Sequence, residues 1–103
     1  MNENKELIED LLKILLKLRE KHKEDKALFD LSFYIVITQF FVNYFGFPQD
    51  FLESVEEAGW DETKVKESVL KEFIIFVKSL YTAVWENKKE EIDNIINNYF
   101  KLK

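Results

Sequence analysis

Only three residues in this chain break a helix by their own chemistry, Gly46, Pro48 and Gly59, and all three fall in one short stretch. Glycine frees the backbone and proline removes an amide donor, so these are the usual punctuation of a fold. The sequence before Gly46 and after Gly59 must turn without them. That predicts long helices joined by short connections. The 34% of charged residues and 47% of hydrophobic ones are a globular balance rather than a disordered one. The 103 residues are read as a single helical domain, 1–103, with apolar material for one core.

Helical periodicity then divides the chain. Leu7, Leu11, Ile14 and Leu18 recur at alternating spacings of four and three, which predicts a helix over residues 4–24. Ile8, Leu12, Leu15 and Leu16 widen its apolar face. Acids crowd its start and bases its end, as the helix dipole favours. Residues 26–45 carry apolar side chains on nearly every face, which predicts a helix buried all round. Phe33 to Ile37 would also suit a strand, but the length of the segment favours a helix. Gly46 can take the left-handed position at its exit, with Phe47 supplying an apolar contact and Pro48 stopping it. Pro48 opens a short third helix to about Ala58, ended by Gly59, and Trp60 stands where a helix-terminating apolar contact belongs.

Asp61 reads as the N-cap of a fourth helix reaching Glu86, roughly 37 Å long at the standard rise. Val65, Val69, Phe73, Phe76, Leu80 and Val84 run down one stripe, with Leu70, Ile74, Val77 and Tyr81 beside it. Asn87-Lys88-Lys89-Glu90 approximates a capping box and predicts a break before a fifth helix with Ile92, Ile95, Ile96, Tyr99 and Phe100. One unbroken helix over 62–101 is the alternative. The fold class is therefore all-α, a helical bundle of four or five helices.

Long, broadly apolar helices in a short chain imply more apolar surface than one copy can cover, so a homodimer is expected. Its shared core is expected on the first and fourth helices, from Leu7, Leu11, Ile14, Leu18, Phe73, Phe76, Leu80 and Val84.

Reaction chemistry finds little purchase. Cysteine is absent, which removes disulfides, thiolate ligands and thiol nucleophiles. His22 is the single histidine and stands among Lys21, Lys23 and Lys26, a solvated setting rather than a ligand set. The two glycines stand apart, so no phosphate-cradling loop exists. The expectation is a protein that is not an enzyme and takes no cofactor or metal. Phe33, Tyr34, Phe40, Phe41, Phe73 and Phe76 could line an apolar ligand pocket, but aromatic residues at helical spacing are more often core.

The function expected is protein–protein interaction, as an adaptor, assembly subunit or small inhibitor. The size would suit an accessory protein of a virus or mobile element. Two oppositely charged outer surfaces are the candidate partner sites. Asp50, Glu53, Glu56, Glu57, Asp61 and Glu62 form an acidic run, and Lys17, Arg19, Lys21 and Lys23 a basic end to the first helix. The alternative is a helix-turn-helix DNA-binding regulator using residues 51–71, with Thr63, Lys64, Lys66, Glu67 and Lys71 on the recognition helix. A net charge of −5 argues against nucleic acid. The uncharged stretch from Leu31 to Gln49 approaches a membrane span in length, but its polar residues favour a buried core helix and no membrane role. No basic segment leads into an apolar run at the N-terminus, and with no cysteine a cytoplasmic location is expected.

Overall fold

A computed structural model describes residues 3–100. It contains five α-helices and, among the described residues, no strand. They are α1 (Glu3–Lys21), α2 (Lys26–Phe45), α3 (Gln49–Glu57), α4 (Ser68–Trp85) and α5 (Lys89–Phe100), with a 3-10 turn at Glu62–Lys64 between α3 and α4.

Each boundary has a local cause. Asp25 caps α2, its side chain accepting from the Leu28 amide at 3.2 Å. Gly46 ends α2 in the left-handed region at φ 68°, and the Phe47 amide returns to the Phe41 carbonyl. Gly59 does the same for α3 at φ 65°. There the Trp60 amide bonds to the Val55 carbonyl and the Gly59 amide to that of Glu56, a Schellman closure. The sequence expectation for Gly46 and Gly59 as helix exits holds.

Two boundaries differ from expectation. Asp61 caps only the 3-10 turn, accepting from the Thr63 amide and hydroxyl, and α4 begins seven residues later at Ser68. Val65 is buried in the extended segment between them, so the core, rather than helical propensity, fixes this stretch. Asn87 is not the N-cap of a capping box. It sits at φ 58° and closes α4: its amide bonds to the Val84 carbonyl and the Lys88 amide to that of Ala83. The break before α5 is present all the same.

The core is apolar throughout, with no buried polar or charged residue among those described. Leu11 and Leu15 of α1, Phe29, Phe33, Ile37 and Phe41 of α2, Val55 of α3 and Phe73, Val77, Leu80 and Val84 of α4 are fully enclosed. Ile92 and Ile96 seat α5 on α4. Phe41 is a hub, with the rings of Phe45, Phe47 and Phe73 at 5.0–5.2 Å. The radius of gyration, 13.3 Å, matches that of a closed domain of this length. Its shortest dimension, 22 Å, is about two helix diameters of ~10–12 Å, so every helix has an outward face.

Candidate protein-binding surface

The outward face of α2 is uncharged, and its first half is largely aliphatic. Leu28, Leu31 and Ile35 are 44%, 61% and 52% exposed and together form an apolar patch rather than isolated exposed residues. Their spacing of three and four places them on one line down the helix. Ser32, Thr38, Gln39 and Val42 continue that line, and no charged residue interrupts it from Leu31 onward. The Thr38 hydroxyl donates back into the helix, to the carbonyls of Tyr34 and Ile35 at 3.0 Å, so it offers no free donor. The helix is also long and apolar enough to cross a membrane by length and composition. Here its inner side is packed through Phe29, Phe33, Ile37, Phe40 and Phe41.

This corrects two expectations. Residues 26–45 are not buried all round; one face is open. The residues assigned to a shared dimer core are mostly enclosed within one chain. Leu11, Phe73, Phe76, Leu80 and Val84 are buried in its own core, and Leu7 and Leu18 are half-buried against it. Of that set only Ile14, 41% exposed, is open. The physical reason is that α5 and α3 both cover α4, and α4 is shorter than expected.

The aromatic residues are core, as their helical spacing favoured: Phe33, Phe41 and Phe73 are fully buried, with the Phe41 and Phe73 rings 5.2 Å apart. Open grooves run along α5, one against α1, lined by Leu12, Leu16 and Ile92, another against α4, lined by Ile75, Phe76, Ile95 and Tyr99, and a further one lies between α3 and the start of α4, lined by Ser54, Val65 and Leu70.

The two charged surfaces lie at opposite ends of α2. The acidic run begins on α3, directly after the C-terminal end of α2. Asp50, Glu53, Glu56 and Glu57 are exposed there. The other two members are engaged internally. Asp61 is held by Thr63, whose hydroxyl first and amide second draw its carboxyl below the ordinary range. Glu62 pairs with Lys78 at 3.0 Å. A backbone hydrogen bond, and then Lys78, lowers the Glu62 carboxyl as well.

The basic end of α1 lies beside the start of α2. Lys17, Lys21 and Lys23 are exposed, with Lys23 3.8 Å from Glu20. Arg19 is held in the fold, where its Nε donates to the Trp85 carbonyl at 3.0 Å and its guanidinium lies over the Trp85 ring. Nearby, Lys26 Nζ donates to the Tyr81 hydroxyl at 2.6 Å, and that hydroxyl donates to the Asp30 carboxylate. The Tyr81 bond raises the Lys26 ammonium, and burial raises the Tyr81 phenol. This chain of polar groups ties α2 to α4 beside the exposed stripe.

The geometry gives the helix-turn-helix no support. Ten residues separate α3 from α4, where that motif needs a turn of about 3–4. Thr63, Lys64, Lys66 and Glu67 precede α4 instead of lying on it. Among the described residues no three His, Cys, Asp or Glu side chains converge as a metal site would require.

Leu28, Leu31 and Ile35 were not singled out by the sequence. The only signal for them was indirect: Ser32, Thr38, Gln39 and Asn43 mark one side of an otherwise apolar helix as the less greasy one. Comparison with protein-family models, curated proteins and solved structures finds no match to this chain.

Proposed function

We propose that this chain is a protein–protein interaction module, without a reaction of its own, and that it works through the outer face of α2. The observation that carries the reading is the exposed, uncharged stripe of Leu28, Leu31 and Ile35. Three aliphatic side chains in line on an exposed helix face supply the apolar centre that interface cores share. The acidic face of α3 and the basic turn before α2 flank it, and a polar rim of that kind selects partners and steers encounter more than it adds affinity. The homodimer belongs to the same reading, now through α2 in place of α1 and α4.

A comparison of two baits tests it. The wild-type chain and Leu31→Glu/Ile35→Glu are each used to capture proteins from the native host. Both positions are exposed, so the doubly substituted chain is expected to stay folded. At least one protein, or a tagged second copy, should be retained by the first bait and lost from the second. Identical captures by the two baits would remove this function for the stripe.

A further inference from the structure

We infer that two copies of this chain pair their α2 helices antiparallel, about a two-fold axis at Ile35; this rests on the reading of α2 as the binding face. The register follows from the stripe. Antiparallel pairing centred on Ile35 sets positions equidistant from it against each other: Ser32 meets Thr38, Leu31 meets Gln39 and Leu28 meets Val42. The small hydroxyl residues beside the axis let two helices approach, and the Thr38 hydroxyl is already bonded within its own helix. Burying it therefore strands no donor. No charge on the stripe repels its own copy.

The ends of α2 select the antiparallel sense. The acids of α3, Asp50, Glu53, Glu56 and Glu57, are exposed with no cation on their own helix, whereas residues 17–26 carry five cations against three acids, Arg19 and Lys26 among them bonded within the fold. Antiparallel pairing brings each acidic end to the partner's basic turn, twice by symmetry. Parallel pairing would set acid against acid. The available area makes the charges matter. A helix face about 30 Å long and ~10 Å wide offers roughly 300 Å² per copy, whereas a stable complex buries about 800 Å² on each partner. The stripe alone is too small, so the charged ends must contribute, and the dimer is weak and sensitive to salt.

The absence of cysteine allows a clean test in the full chain. Ile35→Cys, Leu31→Cys, Gln39→Cys and, as an exposed control on α5, Asn94→Cys are made singly and oxidised mildly, with circular dichroism to confirm folding. Ile35→Cys should link to itself at least about tenfold faster than Asn94→Cys, as expected of sulfurs that meet at a two-fold axis. A mixture of Leu31→Cys and Gln39→Cys should form the mixed disulfide in preference to either self-linked species. Raising salt from about 0.05 M to about 1 M, which shortens the screening length to ~3 Å, should slow the Ile35 link. Self-linking of Leu31→Cys that exceeds the mixed product overturns the antiparallel sense. No excess of Ile35→Cys over Asn94→Cys overturns the pairing altogether. A dimer by sedimentation, or a stripe-dependent host partner, found alongside that last result leaves the interaction reading intact while this geometry fails.

Discussion

At the scale of single residues, exposure separates side chains of the same chemistry into two groups. Leu31 and Phe41 share one helix, yet Leu31 is 61% exposed and Phe41 is fully buried among five other rings. Phe41→Ala should cost about 3–5 kcal/mol by denaturant unfolding, a large part of the ~5–15 kcal/mol that holds a domain together. Leu31→Glu should change stability by no more than about 0.5 kcal/mol, because it leaves the core alone; the same unfolding assay separates the two. Tyr99 offers a second residue-level test. It stacks on Phe76 at 4.1 Å between ring centres. Burial, with a lesser contribution from the Glu72 carboxylate, pushes its phenol from 10.0 to about 12. The folded state thus holds this proton over a range where the unfolded chain releases it. Stability from Tyr99 is complete below pH 10 and is lost as pH rises toward about 12. Thermal melts across that range should fall more steeply for the wild type than for Tyr99→Phe. Equal slopes would remove Tyr99 as the cause.

At the scale of elements, the helix ends show where periodicity reads well and where it does not. Gly46 and Gly59 mark true exits, because only a residue without a Cβ adopts φ near +65° freely. Asn87 ends its helix in the same way but less visibly. Asn tolerates the left-handed region but is also a good N-cap, so its local sequence points equally to the end of α4 and the start of α5. Asn87→Gly should therefore be neutral or stabilising, whereas Asn87→Val should cost about 1–2 kcal/mol, since a β-branched residue at φ 58° is strained. Chemical denaturation of the pair decides it. A continuous helix through this point would reverse the order, because Gly is the poorer residue within a helix. The late start of α4 is the opposite case. Residues 61–67 have helical composition, but Val65 has a place in the core that an extended backbone reaches.

At the scale of the whole molecule, a single chain closes its own core. Residues from all five helices contribute to it, and no side-chain nitrogen or oxygen is buried without a partner among the described residues. In the proposed dimer, association through α2 is thus added to a folded chain rather than required to make one. The melting midpoint should accordingly shift by only a few degrees over a hundredfold range of protein concentration, as mass action on a weak dimer requires. A midpoint that climbs steeply with concentration would mean that folding depends on the second copy.

The all-helical class, and a count of four or five helices, were readable from residue order, because the 3.6-residue period of apolar side chains needs no partner to be seen. Which aliphatic side chains stay exposed was not. On α1 and α4 the periodic stripes looked too broad for one chain, and there neighbouring helices cover most of them, leaving Ile14 and Val69 exposed. On α2 apolar residues occur on nearly every face, and Ser32, Thr38, Gln39 and Asn43 mark one side only weakly, because Leu28, Leu31 and Ile35 share it. Which face stays open depends on where α1, α3, α4 and α5 can pack against a helix only about 30 Å long. Long-range contacts decide that, and they leave Leu28, Leu31 and Ile35 facing outward.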